Sequence, residues 1–324
     1  MFTRLLVPLD GSPLAESALA HAAAVARPDA RITLLQVLEP DAGAGPVDPL
    51  EWRLRRDAAS LYLERVAEGL RAAVGATVST LVAEGAAAER ILSVARESDA
   101  EVIVLSSHGA GGPSAWNVGS VGVKVAARAG ASLLLVRGYR QGTPWGESGW
   151  RPERYARVLV PLDGSLRGEH VIPAANRLAT RHGARLELVH VVDVPGVIER
   201  SCDDVAEEEA EEDATEPGRR YLEEVRAECG PDASVATHVL CHADLFSTLE
   251  DLIDQLHVDL VLLSAHGHSA RRRTHGTLPT NFILHGGTPV LILQDLPWDE
   301  LRPSAAEVAS GLTEAPAPRS PAQQ

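Results

Sequence analysis

Two short segments of this 324-residue chain carry residue types suited to holding an anion. Pro8-Leu9-Asp10-Gly11-Ser12 sets one carboxylate beside a Gly-Ser turn. Ser106-Ser107-His108-Gly109 opens a glycine-rich stretch that closes at Gly119-Ser120. Glycines let backbone N–H groups approach phosphate oxygens, and a helix beginning near Val121 would add unpaired donors and its dipole. The spacing is not the Rossmann Gly-x-Gly-x-x-Gly, and Gly-Lys-Ser/Thr of a Walker loop is absent. No Ser-His-Asp set or nucleophile elbow is visible. His108 sits where a general base could act, or where an imidazole could bond loop carbonyls. Asp10 could ligate Mg²⁺ beside phosphates or cap the turn that follows it, and these roles are compatible.

The pattern occurs twice. Arg4–Ser12 (RLLVPLDGS) returns as Arg157–Ser165 (RVLVPLDGS), identical at eight of nine positions with an offset of 153. Glu101–Gly109 returns as Asp259–Gly267, and Ser132–Arg137 as Pro289–Gln294. Three matches in one order mean a duplicated module. The second copy departs in its loop: only eight residues, His268–His275, separate Gly267 from Gly276-Thr277, and Arg271-Arg272-Arg273 replace glycines. Those arginines could pair with phosphates, or be a solvated patch on a degenerate loop. His266 and His268 lack a third ligand at metal-site spacing.

The elements that must position these loops read as alternating strands and helices. In copy one, strands fit Arg4–Leu9, Arg31–Leu38, Ala76–Val82, Glu101–Leu105 and Ser132–Val136, with helical patterns near Pro13–Arg27, Leu50–Ala73, Ala86–Ser98 and Val118–Ala129. Copy two repeats the strands at Arg157–Leu162, Arg185–Val192, Ser234–Leu240, Asp259–Leu263 and Pro289–Leu293. Near-continuous Val, Ile and Leu suits strands covered on both faces, and helix-length crossovers require parallel pairing. The expectation is a doubly wound α/β module, twice. Ligands then bind beyond the carboxyl ends of strands, where the winding reverses.

Composition bounds the rest. A formal net charge of -15 argues against nucleic acid or an anionic membrane as partner. No apolar run approaches the ~20 residues of a membrane span, and the N-terminus lacks a signal peptide's apolar region. Cys202, Cys229 and Cys241 have no metal-like spacing, which suits free thiols in a reducing cytoplasm. Lys124 is the only lysine, read here as a coding bias. The expected division is a first domain at 1–140, a Gly- and Pro-containing linker at 141–153, a second domain at 154–296 and a disordered tail at 297–324. Glu199–Glu216, with ten acidic residues, reads as a solvated insertion.

Val-Pro-x-Asp-Gly-Ser after strand one, with Ser-x-His-Gly, nine residues and Gly-Ser-Val after strand four, resembles the universal stress protein family, in its tandem form. The resemblance runs from Phe2 to Gln294. It implies two five-stranded parallel sheets of order 3-2-1-4-5, similar to adenine nucleotide alpha hydrolases. Many such members bind ATP through Gly, two residues, Gly, nine residues, Gly-Ser/Thr. By that resemblance Asp10 lies near the ribose, Val37 faces the adenine, and Gly109, Gly119 and Ser120 hold the phosphates. Pro8, Leu9, Ser106, His108 and Val121 join the same site. One departure is Ser106 in place of the pattern's first glycine, which adds a Cβ. A weaker second site would use Pro161, Asp163, Val191, Gly267, Gly276 and Thr277, with Ser264 again replacing glycine. The resemblance implies a cytoplasmic stress-response protein that senses or sequesters ATP, with or without Mg²⁺, and hydrolyses it slowly at most. The rival reading is an interaction module with relic loops. The halves are expected to form an internal pseudo-dimer through Ser132–Val136 and Pro289–Leu293, with a further homodimer open.

Overall fold

Proline and small polar residues set the helix starts. Ser12 caps the first helix, accepting from Ala15 N at 3.2 Å, and Pro13 occupies its first turn. Asp48 and Pro49 do the same for the second. The computed structural model describes residues 1–40, 48–109, 118–137, 151–192, 204–230, 233–241, 244–267 and 276–294, with backbone alone for 204–214 and 241.

The first half runs β1 (Phe2–Pro8), α1 (Pro13–Val25), β2 (Ala26–Leu38), α2 (Pro49–Val74), β3 (Thr77–Glu84), α3 (Ala87–Glu97), β4 (Val102–Ser106), α4 (Ser120–Ala126) and β5 (Ser132–Val136). The second runs β6 (Arg157–Leu162), α5 (Leu166–Glu169), α6 (Ile172–His182), β7 (Arg185–Val192), α7 (Asp204–Glu228), β8 (Val235–Cys241), α8 (Leu245–Leu256), β9 (Leu260–Ser264), α9 (Thr277–His285) and β10 (Val290–Leu293). The strand order is β3-β2-β1-β4-β5-β10-β9-β6-β7-β8, so each half has the expected 3-2-1-4-5 order. The two sheets are nevertheless one. β5 and β10 pair antiparallel, with Val290 opposite Leu135, Leu291 opposite Leu134 and Ile292 opposite Leu133. All six are fully buried, and pairing removes two sheet edges. Helices cover both faces, α1, α2, α6 and α7 on one side and α3, α4, α8 and α9 on the other.

Several boundaries differ from the sequence reading. The first helix stops at Val25, not Arg27, and β2 begins at Ala26. Pro28 cannot extend a helix and drives its predecessor to extended backbone. The fourth helix is seven residues, not Val118–Ala129. Val118 is buried, Gly119 N donates to Ser107 O at 2.7 Å, and the chain turns after Ala126. The acidic segment is not an insertion loop throughout: residues 204–216 begin α7, while 199–203 lie outside the described residues. Residues 138–150, the segment 268–275 with its arginines, and 295–324 also lie outside them.

The halves meet beyond the sheet as well. Arg137, 1% exposed, follows β5 and donates to Phe282 O and to Ile283 O, the latter at 3.2 Å. Gln294, its counterpart after β10, donates through Nε2 to Ala129 O at 3.2 Å. On the opposite face Tyr155 is buried between His21 and His182, sharing a 2.8 Å hydrogen bond with His21 Nδ1. Alanines along α1 bring its backbone close enough for Glu153 N to donate to Ala20 O at 2.9 Å.

Candidate functional site

β1 and β4 are neighbours whose following chains diverge, β1 into α1 on one face and β4 towards α4 on the other. That is the switch point of an open parallel sheet. The carboxyl end of β1 delivers Asp10, whose Oδ1 accepts from Ser12 N at 2.9 Å and Ser12 Oγ at 2.6 Å. Gly11, at φ 85°, makes that turn possible. Asp10 therefore caps the turn, one of its two roles open in the sequence.

The carboxyl end of β4 delivers Ser106, Ser107 and His108, all buried. Ser107 N donates to Val136 O at 2.7 Å and Ser107 O accepts from Gly119 N, so the far end of the loop is pinned beside its start. His108 Nδ1 shares a 3.0 Å hydrogen bond with Ser107 Oγ. This local anchoring agrees with a structural role for the imidazole. Gly109 packs directly against Asp10: a Cβ there would overlap the carboxylate.

A cavity of about 780 Å³ opens between these segments. Pro8, Leu9 and Asp10 line it from β1, and Val37 from β2. Ser106, His108 and Gly109 line it after β4, and Gly119, Ser120 and Val121 at the start of α4. All ten first-site residues named from sequence thus face one space. Leu35, Ala87 and Ile91 extend its apolar wall beside Val37. The volume lies within the ~300–1,000 Å³ of small-molecule sites.

Lys124 and Leu284 are among the lining residues that the sequence reading missed. Lys124, set aside as a coding bias, lines the cavity. Its position four residues after Ser120 was the available signal, since such residues share a helix face. Leu284, on α9 of the second half, also lines it. Nothing in the sequence signals that, because it depends on how β5 and β10 pair.

The second copy keeps the local geometry. Asp163 Oδ1 accepts from Ser165 N at 3.0 Å and from Ser165 Oγ at 2.6 Å. Gly267 abuts the Asp163 carboxylate as Gly109 abuts that of Asp10. Gly276 N donates to Ala265 O at 2.8 Å, and Thr277 begins α9. Pro161 ends β6 next to Leu162, and Val191 lies near the end of β7. Ser264 differs from Ser106: its Oγ accepts from His266 N at 3.3 Å, whereas Ser106 Oγ is buried with no partner. The first helix of this half is broken into α5 and α6, where Pro173 enters the first turn of α6.

Among the described residues no group of three His, Cys, Asp or Glu could hold an ion. Burial pushes the Cys229 thiol upward, which suits an inert thiol. No described helix is long and apolar enough to cross a membrane.

Comparison with known proteins gives one consistent result. The model of the universal stress protein family matches residues 1–137 and again 154–294. A universal stress protein from Archaeoglobus fulgidus aligns with TM-score 0.64 and 18% identity, over 91% of this chain and 97% of its own. A Pseudomonas aeruginosa protein aligns with TM-score 0.55 and 13% identity, over 91% and 94%. A universal stress protein solved in complex with cAMP is 22% identical over 44% of this chain and 98% of its own, with TM-score 0.33, a likeness too partial to bear on ligand choice. No curated protein matches the chain.

Proposed function

The chain belongs to the universal stress protein family, and from this premise we propose that its first half binds an adenine nucleotide, ATP foremost, as a sensor or regulator in the stress response. The observation that supports the reading most is convergence: ten residues named from sequence line one cavity of about 780 Å³. Leu35, Val37, Ala87 and Ile91 offer an apolar slot for the base. Asp10 is placed to accept from ribose hydroxyls. Gly109 would offer its backbone N–H and Ser120 its backbone N–H and hydroxyl to the phosphates, while Gly119, whose own N–H is taken by Ser107 O, would leave room for them. Mg²⁺ would enter with those phosphates, because Asp10 is the single carboxylate in the described lining and Mg²⁺ binds through one or two carboxylates plus phosphate oxygens. Turnover is expected to be slow, since the loop between Gly109 and Ser120 carries no lysine or arginine to stabilise a transferred phosphoryl group.

Ser106 is compatible with this reading. The residue is 7% exposed and ends β4 in extended backbone, so its Cβ requires no left-handed conformation. A second, weaker site around Pro161, Asp163, Val191, Gly267, Gly276 and Thr277 would rely on the same local geometry with different loop chemistry.

The test is the nucleotide content of the full chain purified without added nucleotide, released by denaturation and separated against standards. About one equivalent of ATP or ADP, reduced by Asp10→Ala, supports the first-half site. Two equivalents would make the second half an equal site. An empty protein that also ignores added ATP with Mg²⁺ would leave the interaction-module reading.

A further inference from the structure

We infer that Lys124 is the residue by which the first-half cavity distinguishes a nucleoside triphosphate from a monophosphate or a nucleoside; this rests on the nucleotide reading above. Lys124 carries the only side-chain amine of the chain, and that amine belongs to a residue lining the cavity. It stands four residues after Ser120, on the same face of α4 and about 6 Å further along the axis. With the first phosphates held at Ser120, the terminal phosphate of a longer chain is the group left for the Lys124 ammonium to meet.

The charge is available. Glu89 is near enough to feel Lys124, yet both Glu89 oxygens are engaged by Arg128, one of them at 3.0 Å. Among the described residues Lys124 forms no ion pair within 4.0 Å. Asp10 and His108 are the other titratable groups in the described lining, so Lys124 is its one standing cation. In a chain of net charge -15, a polyanion needs such a local charge to settle. An ammonium on a four-carbon stem can follow a mobile terminal phosphate, which a planar guanidinium does less freely. Aligning Gly276-Thr277 with Gly119-Ser120 places Asn281 at the equivalent position, so the second half carries no ammonium there.

The experiment titrates the full chain with ATP, ADP, AMP and adenosine by calorimetry, in wild type, Lys124→Gln and Lys124→Arg. Loss of one charge-assisted contact at an exposed side chain should weaken ATP about 5- to 20-fold in Lys124→Gln. AMP and adenosine should hold within about twofold, and Lys124→Arg should recover most of the loss. Acylation followed by mass spectrometry gives an independent readout, with ATP but not adenosine slowing modification of Lys124. Unchanged ATP affinity in Lys124→Gln, or equal losses for ATP and adenosine, would overturn the inference and leave the site intact. If wild type binds none of the four ligands, the nucleotide reading itself fails, and this inference with it.

Discussion

Gly109 lies so close to Asp10 that a Cβ at position 109 would overlap the Asp10 carboxylate, and Gly267 stands in the same relation to Asp163. The contact survives in the second half although the loop that follows Gly267 is a residue shorter. Close approach of the two loops at the switch point is therefore a requirement of each module, before any ligand is considered. It also explains why the His-Gly pair and the Asp-Gly-Ser turn recur together.

Gly109→Ala and Gly267→Ala should each lower stability by about 1–3 kcal/mol, as overpacking does in a filled site. Urea midpoints of the two variants check this, and only Gly109→Ala should also weaken nucleotide. Gly119 is different, because the nearest atom to an added Cβ is Ser107 O at 3.5 Å. Gly119→Ala should fold normally, whereas Gly119→Glu, adding bulk and negative charge, should abolish binding without unfolding. Unchanged affinity in Gly119→Glu would place the site elsewhere.

Arg137, itself buried, ties the halves through the Phe282 and Ile283 carbonyls. Arg137→Met keeps much of the volume and removes those charge-assisted hydrogen bonds. A loss of about 2 kcal/mol is expected from denaturant unfolding. A gain in stability would mean that desolvating the guanidinium outweighs its bonds.

His182 gives the junction a pH dependence. Burial lowers its imidazole pKa below the ordinary 6.5, and Arg181 adds to the effect, against an opposing hydrogen bond to Ala24 O. As pH falls through the ordinary value, the unfolded chain takes up a proton that the folded one resists, so the folded state loses stability. Urea midpoints at pH 7.5 and 5.5 should therefore fall with acidification, and His182→Gln should reduce the slope. Equal slopes would remove His182 as the cause.

Leu284 makes the first-half cavity depend on the second half. Leu284→Asp places a negative charge in that wall and should weaken ATP several-fold, with a smaller effect on adenosine. Leu284→Met, nearly equal in volume, should bind as wild type. Calorimetry on the full chain separates the two.

Much of the fold was legible because its signals are local. Ser12-Pro13 is a helix start that needs no partner to be recognised, and the runs at Val102–Ser106 and Ser132–Val136 are apolar on both faces as buried parallel strands must be. The repeat of Asp10-Gly-Ser and His108-Gly109 in the second half marked the module, and the family resemblance implied its strand order and candidate site. The short α4 was misjudged because its apolar pattern continues past Ala126, where the chain turns toward β5 and not along a helix axis.

The sequence by itself determined two doubly wound modules, and its family resemblance named ten residues that prove to line one cavity, because each depends on contacts inside one module. The pairing of β5 with β10 was expected from the sequence, but tertiary structure alone decided that they run antiparallel with Leu291 opposite Leu134, that Arg137 is buried across the junction, and that Leu284 of one half walls the cavity of the other. Those facts follow from an antiparallel register between strands 157 residues apart, and no residue pattern along the chain encodes the distance between two surfaces until both have folded.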